Sequence, residues 1–236
     1  MSGRYRQHDF AAGQALLCRW DYLQGAQAMP ALVLPDACVD LLWDGSRLSI
    51  AGPDTRAQYA RICPGQRVQG LRFAPAVAAH WLGVPLHVLA DQRVELRDLG
   101  VSRLATLADR MAESEADAID WLAGRILADT PSATDTMQVV HARLARAQPD
   151  SVAHLARDLG LTERTLLRRC DDAFGYGPKL LARILRLQRF LRLQHDDATL
   201  VDMALDAGYY DAAQLAGDAR RLTGLTPTQL LAQVAR

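Results

Sequence analysis

Hydrophobic residues in the second half of the chain recur with the spacing of one buried helix face. The first such set, at i, i+3, i+4 and i+7, is Val152, Leu155, Ala156 and Leu159. Gly160 supplies the backbone freedom that ends this helix, and Thr162 can cap the next one through its hydroxyl. A helix, a short turn with glycine and a capped second helix predict a helix-turn-helix unit.

The same arrangement returns nearer the C-terminal end. Its apolar face consists of Leu200, Met203, Ala204 and Ala207. Gly208 breaks this helix, Asp211 can cap a second one from Ala212 to Leu222, and Thr223-Gly224 end it. Any two packed helices can imitate one unit, so two units in one stretch are a far more specific signal.

The residues of both units resemble the DNA-binding domain of AraC/XylS transcription regulators, which carries two such units on a connecting helix. The resemblance rests on LTERTLLRRCDDAFGYGPKLLARILRLQRFL and ALDAGYYDAAQLAGDARRLTGLTP. Gly208-Tyr209, Arg220-Arg221, Thr223-Gly224 and Thr226-Pro227 stand where the family's second-unit signature places them. VLPDACVDLLWDG, IAGPDT and GLRFAPAVAAHWLGVPLHVLADQRVEL are similar to an N-terminal domain found fused to such regulators. The resemblance implies a sequence-specific transcription regulator that binds double-stranded DNA.

The second helix of the first unit offers the best candidates for reading bases. Leu166 and Cys170 lie four residues apart on the inward face, and Arg164, Leu167 and Arg168 lie on the opposite side. The resemblance places these three at the family's base-reading positions. An arginine can donate two hydrogen bonds to guanine, and Leu167 can contact a thymine methyl group. The alternative is an ordinary solvated face. The full set of predicted DNA contacts is Arg164, Leu167, Arg168, Arg169, Lys179, Arg183, Arg186, Gln214, Arg220 and Arg221.

The corresponding helix of the second unit departs from the family pattern. Small residues, Ala212, Ala213 and Gly217, stand where relatives carry polar or basic side chains. Gln214 is the remaining polar side chain that could pair with adenine, and Ala219 replaces a usual aromatic residue. The hypothesis is that this unit holds the DNA backbone through Arg220 and Arg221 and reads little sequence.

The stretch from residue 15 to 75 has short apolar runs broken by Pro-Asp, Asp-Gly and Gly-Pro turn signals, which are typical of strands. A short helix ending at Gly83 follows, and helical periodicity runs from Ser102 to Leu127. The predicted fold class is α+β. Strands this short, separated by tight turns, predict a small β-barrel or a two-layer sheet, and the resemblance implies a cupin-like barrel. With its helices, this part is predicted to form an N-terminal sensing or dimerisation domain over residues 1–130. An all-α DNA-binding domain with two helix-turn-helix units on a linker helix spans residues 136–236. The best linker candidate is residues 128–135, and a further helix starts at Met137.

Charge is distributed unevenly along a chain whose formal net charge is zero. Between Gly160 and His195, eight basic and three acidic residues leave a local balance of +5, which suits a phosphate-binding face. No segment is long and apolar enough to span a bilayer, and MSGRYRQHDF lacks the apolar run of a secretory signal. The expected location is the cytoplasm, with no membrane partner.

No motif in the sequence identifies an effector for the N-terminal domain. Candidate effector-binding residues are Cys38, Trp43, Arg72, Phe73 and Trp81, which mix aromatic and charged side chains. Each could equally be an ordinary core or surface residue. A second hypothesis makes the domain a protein-interaction or homodimerisation module without a ligand. A closed apolar cavity would favour sensing, and an exposed apolar helix at 119–127 would favour dimerisation.

A third hypothesis treats Cys38 as a thiol that senses oxidants or electrophiles, against the ordinary alternative of a buried structural cysteine. The four cysteines (Cys18, Cys38, Cys63, Cys170) form no C-x-x-C pair, and His80 and His87 lack metal-ligand spacing. No glycine-rich phosphate loop or nucleophile elbow is present, so neither an enzyme nor a cofactor is expected.

Overall fold

The computed structural model describes residues 3–26, 30–113, 118–130, 136–193 and 199–234. The strands are β1 (Arg4–Asp9), β2 (Leu16–Leu23), β3 (Ala31–Val33), β4 (Asp40–Trp43), β5 (Leu48–Ala51), β6 (Gln58–Ala60), β7 (Arg67–Phe73) and β8 (Arg93–Glu95). The helices are α1 (Val77–Leu82), α2 (Ser102–Glu113), α3 (Ala118–Asp129), α4 (Thr136–Leu144), α5 (Val152–Asp158), α6 (Glu163–Phe174), α7 (Pro178–Arg192), α8 (Leu200–Asp206), α9 (Ala212–Thr223) and α10 (Pro227–Val234). Two short 3-10 helices cover Leu86–Leu89 and Leu96–Leu99. The predicted α+β class is confirmed.

Six strands form an antiparallel sheet in the order β1-β2-β7-β4-β5-β8, and β3 pairs with β6 in a separate ribbon. The sheet is open within the described residues, with β1 and β8 at its edges, so the expected barrel does not close there. All six residues of β1 are exposed, and this strand therefore has no apolar face that could pack against a facing sheet.

One face of this sheet carries the core of the N-terminal part. Leu41, Ile50 and Leu71 on the central strands are fully buried because alternate residues of a strand point to the same side. Helices α2 and α3 pack against the sheet, and α3 presents Ile119, Leu122 and Ile126 to it. The apolar face of the 119–127 helix therefore points inward.

A second core belongs to the C-terminal helices and is organised around α7. Its inward positions are Leu181, Ile184, Leu187 and Phe190, all fully buried. Helices α4, α6, α8 and α9 pack on α7. The two cores include residues up to Ile126 and from Met137 onwards. The boundary between domains 1–130 and 136–236 stays a prediction, since residues 131–135 of the expected linker lie outside the described residues. None of the helices in the described ranges is both long and apolar enough to cross a membrane.

Candidate nucleic-acid interface

The first helix-turn-helix unit consists of α5, a turn at Gly160 and α6. Ser151 caps α5, and the Thr162 hydroxyl caps α6 by accepting a hydrogen bond from the Thr165 amide at 3.1 Å. Gly160 takes the left-handed conformation, with φ of 65°, that the turn requires. The local caps and turn of the predicted unit are present as the sequence indicated.

Helix α6 has three faces with different neighbours. Leu166 and Cys170 are fully buried in the core, as predicted. The opposite face exposes Arg164, Leu167 and Arg168, and Leu167 is 47% exposed. Neither arginine makes an ion pair within the part of the chain that the structure describes. Two arginines without ion-pair partners and an exposed leucine between them can contact guanine and a thymine methyl group at the edges of bases.

The third face of α6 turns towards the N-terminal part of the chain. Arg169 and Asp172 line a cavity of about 290 Å³ together with Ala76 and Ala79 of the α1 region. His87, in the 3-10 helix Leu86–Leu89, lies 3.3 Å from the Asp172 carboxylate. Arg169 is therefore placed beside the predicted base-reading face and not on it.

The start of α7 provides a second cationic position. Pro178 occupies the first turn after Gly177, and Lys179 is exposed without an ion pair among the described residues. The free N–H groups of a helix N-terminus favour anions, so Lys179 remains suitable for a phosphate contact.

The second unit consists of α8, a turn at Gly208 and α9. Thr199 and Asp202 form a reciprocal capping box on α8, and Asp211 caps α9 by accepting from the Gln214 amide at 2.7 Å. The side-chain oxygen of Gln214 accepts a hydrogen bond from the Tyr210 amide at 2.8 Å. A bidentate pair with adenine needs that oxygen, so the local capping of α9 competes with base reading by Gln214.

The outer face of α9 carries small residues and two cations. Ala213, Gly217, Arg220 and Arg221 are all exposed, and the two arginines make no ion pair among the described residues. This surface fits the hypothesis of backbone contact, which remains a prediction.

Two predicted DNA contacts on α7 point into the protein. The Arg183 Nε lies 3.0 Å from one oxygen of Asp218, and the Arg186 Nη2 lies 3.1 Å from the other. Asp218 is 8% exposed, and the Arg186 guanidinium also covers the ring of Tyr209 at 4.7 Å. A buried carboxylate requires cationic partners, so these contacts hold both guanidinium groups at Asp218 and argue against phosphate contacts by Arg183 and Arg186.

Sequence reasoning did not identify Asp218 as the partner of these arginines. A usable signal was present: Asp218 stands between Leu215 and Leu222 on the inward face of α9, where an acid needs a partner.

Three of the predicted effector-binding residues belong to the hydrophobic core. Trp43, Phe73 and Trp81 are 6%, 2% and 5% exposed, and the rings of Phe73 and Trp81 lie 5.5 Å apart. They belong to the hydrophobic core of the N-terminal part, together with neighbouring aliphatic residues. Their burial argues against direct contact with an effector, and their role in effector binding stays a prediction.

The other two, Arg72 and Cys38, belong to a charged cluster formed by the inner strands β7 and β4 and the loop before β4. Arg72 donates two hydrogen bonds of 2.9 Å to Asp40 and also lies 3.0 Å from Asp36. The Cys38 thiol donates to the Asp36 carbonyl at 3.6 Å. Burial raises the pKa of the Cys38 thiol well above its usual range, and the charge of Asp36 adds to the rise. A thiol held protonated is a poor nucleophile, which argues against the thiol-sensor hypothesis.

The N-terminal part contacts both helix-turn-helix units. The 3-10 helix Leu86–Leu89 and α1 pack against α6. The Ala57 amide donates to the Leu222 carbonyl of α9 at 2.7 Å, and the Gln188 side chain of α7 donates to the Pro35 carbonyl at 2.8 Å. No local sequence pattern indicated these long-range contacts.

In the described ranges, no group of three or more histidine, cysteine or acidic side chains could hold a metal ion. The exposed side chains that the two units and the start of α7 offer to a ligand are those of arginine and lysine. Such side chains can contact phosphates and the edges of bases.

Comparison with known proteins gives two family matches. Residues 155–233 match a helix-turn-helix domain, and residues 14–95 match a domain of unknown function (DUF6597). The first match begins within α5 and covers the rest of the first unit, the connecting helix and the second unit. The C-terminal part is an AraC-type helix-turn-helix domain. This match supports a role for residues 155–233 in DNA binding.

Several solved structures match the chain at low identity. A transcriptional regulator with an AraC-type DNA-binding domain from Chromobacterium violaceum is 24% identical, with a TM-score of 0.38, over 43% of this chain and 89% of its own. A DNA-binding transcriptional dual regulator from Escherichia coli K-12 is 19% identical, with a TM-score of 0.39, over 45% of this chain and 97% of its own. ToxT from Vibrio cholerae O395 is 9% identical, with a TM-score of 0.45, over 99% of this chain and 98% of its own. No curated protein matches the chain. The assignment to the AraC type therefore rests on residues 155–233 and the geometry of the two units.

Proposed function

We propose that this chain is an AraC-type transcription regulator that recognises a specific DNA sequence through α6 and holds the neighbouring backbone through α9. The observation that carries the proposal is the exposed face of α6, where Arg164, Leu167 and Arg168 stand together without ion-pair partners among the described residues. Arginine and leucine together can distinguish guanine and thymine in the major groove.

The proposed division of labour follows from the side chains of α9. Its outer face offers Arg220 and Arg221 to phosphates, whereas Ala213 and Gly217 have no hydrogen-bonding side-chain group to offer to a base. Lys179 adds a further phosphate contact at the start of α7. Arg183 and Arg186 are left out of the interface because Asp218 holds them.

The proposal includes control of DNA binding by the N-terminal part. That part contacts α6, α7 and the end of α9, so a change in its conformation alters the surroundings of both recognition helices. The signal would be a small-molecule effector or a second copy of the chain. The burial of Trp43, Phe73 and Trp81 argues against direct contact of these residues with an effector, and the inward face of α3 argues against dimerisation through that helix.

The test is selection of bound duplexes from random DNA by the full chain, followed by affinity measurements on the selected site and on a scrambled one. Arg168→Ala should relax sequence preference, with about 1–3 kcal/mol of discrimination lost. Arg220→Ala should weaken both duplexes by a similar factor and reduce the salt dependence. Arg61→Ala, which removes an exposed arginine far along the chain from both units, should leave both affinities unchanged.

Two results would contradict the proposal. If selection by the wild-type chain yields no preferred sequence, the chain is not a sequence-specific regulator. If Arg168→Ala and Arg220→Ala reduce discrimination equally, the division between a reading unit and a holding unit is wrong.

A further inference from the structure

A groove of about 320 Å³ lies on the N-terminal sheet where β1, β2 and β7 run side by side. Basic side chains dominate its polar lining, namely the arginines Arg4, Arg6, Arg19 and Arg67 together with His8. Asp21 is the single carboxylate among the described lining residues. The groove is separate from the helix-turn-helix units and from the Arg72 cluster.

The strand register places these basic side chains on one face of the sheet. In the antiparallel pair, Arg6 lies opposite Asp21 and His8 lies opposite Arg19. Side chains of a strand alternate between faces, so Arg4, Arg6 and His8 share the face that carries Arg19 and Asp21. Neighbouring basic side chains along β1 are separated by two residues, or about 7 Å.

Two of the arginines are already paired, and two are not. Arg19 pairs with Asp120 of α3, and an Arg67 Nη2 lies 2.5 Å from the Asp21 carboxylate. Arg4 and Arg6 are exposed and have no ion-pair partner among the residues described. The groove is therefore lined by two arginines that ion pairs hold in place, and by two arginines whose charge has no partner among the described residues.

We propose that this groove binds a small multivalent oxyanion, a molecule carrying two or more phosphate or carboxylate groups. A guanidinium group can hold such an oxyanion through two parallel hydrogen bonds, and its charge persists at any physiological pH. The spacing along β1 suits two anionic groups on one molecule. The volume falls at the lower end of the range for small-molecule sites. Charges on an edge strand also prevent strand-to-strand aggregation, but that role requires neither a groove nor a shared face.

Binding of an oxyanion in this groove would make that anion the small-molecule effector of the proposed function. Only the effect of the anion on DNA binding rests on the proposed function. Strand β7 runs from Arg67 in the groove to Arg72, whose guanidinium holds Asp36, next to the Pro35 carbonyl that binds Gln188 of α7. The bound anion would thus sit on a strand that reaches the contact with the DNA-binding part.

The experiment is isothermal titration calorimetry of the full chain with pyrophosphate and with citrate. Acetate, which carries one anionic group, is the monovalent comparison. We expect saturable binding of pyrophosphate or citrate at one site, and weaker binding of acetate. Arg6→Gln should weaken that binding by about tenfold, the effect of losing one hydrogen bond to a charged group. Arg61→Gln, a matched change at an exposed arginine outside the groove, should have no effect. Tighter binding of pyrophosphate would assign a phosphorylated ligand, and tighter binding of citrate a polycarboxylate.

Absence of saturable binding for both anions would overturn the proposal, as would an equal loss in Arg6→Gln and Arg61→Gln. If no small anion binds but Arg6→Gln lowers affinity for random duplex DNA, the groove is a nucleic-acid contact and the ligand site is rejected. The selected-duplex assay on Arg6→Gln without anion separates this result from the function of the helix-turn-helix units. If the chain recognises its DNA site but binds no anion, the anion-site proposal has failed. If it binds the anion but prefers no DNA sequence, the proposed function has failed.

Discussion

At the scale of single residues, Asp218 determines where two arginines of the connecting helix point. Its carboxylate is nearly inaccessible and accepts contacts from Arg183 and Arg186, one on each oxygen. An ionised carboxylate in such a place is stable only when it is paired. Because Asp218 is on α9 and the arginines are on α7, this pairing fixes the second recognition helix to the helix that joins the two units.

Asp218→Asn should therefore destabilise the C-terminal part. Removing one partner of a buried ion pair costs about 3–5 kcal/mol, and the partial exposure of the two arginines places the expected loss near the lower end. Urea denaturation gives the free energy of unfolding for comparison with Asp206→Asn, an exposed aspartate of α8. The control should change stability by less than about 0.5 kcal/mol. Equal effects of the two substitutions would show that the Asp218 pairing contributes nothing.

At the scale of elements, α9 combines a well-packed inner face with an outer face of unusually small residues. Leu215, Ala219 and Leu222 are buried, while Ala213 and Gly217 occupy the exposed side next to Arg220. Nothing lies within 4 Å of a Cβ atom built on Gly217, so no packing inside the protein requires glycine there. Glycine in a helix interior costs about 1 kcal/mol relative to alanine, and close approach to the DNA backbone offers a reason for it.

Gly217→Ala should raise the free energy of unfolding by up to about 1 kcal/mol and lower DNA affinity. The matched control is Gly124→Ala in α3, another exposed helical glycine with nothing within 4 Å of its Cβ position. It should give similar stabilisation without any change in DNA binding. Thermal unfolding and titration of the selected duplex measure the two effects. An unchanged DNA affinity in Gly217→Ala would show that α9 does not approach the backbone closely at this position.

The elements most readily predicted from the sequence are those whose signals are local. Both helix-turn-helix units carry 3.6-residue periodicity, hydroxyl or carboxylate caps and turn glycines, and the structure contains both. Strand β1 was missed because its six residues are all exposed and show no apolar alternation. The barrel was expected from turn spacing and resemblance, neither of which determines strand order. The pairing of Asp218 with α7 depends on contacts between residues more than 30 positions apart, and no local pattern encodes such contacts.

At the scale of the whole molecule, the regulatory proposal depends on how tightly the N-terminal part is packed against the two units. Gly175, which ends α6, lies in that interface with φ of 85°. A Cβ atom there would come within 2.4 Å of a Pro53 ring carbon and 3.2 Å of the Leu86 carbonyl oxygen. A proline ring and a backbone carbonyl cannot move aside cheaply, so glycine is required for the contact as well as for the helix end.

Gly175→Ala should therefore loosen the packing between the two parts of the chain. Gly224→Ala is the matched control, because Gly224 ends α9 with φ of 75° and has nothing within 4 Å of its Cβ position. Both changes carry the cost of a left-handed alanine, roughly 1–2 kcal/mol, so the difference between them isolates the interface. We expect Gly175→Ala to lose more stability and to show faster amide hydrogen exchange at residues 54–57 and 86–89. Equal stability and equal exchange in the two variants would mean that Gly175 is needed only to end its helix. The interface at Pro53 would then be too weak for the N-terminal part to influence α6 through this contact.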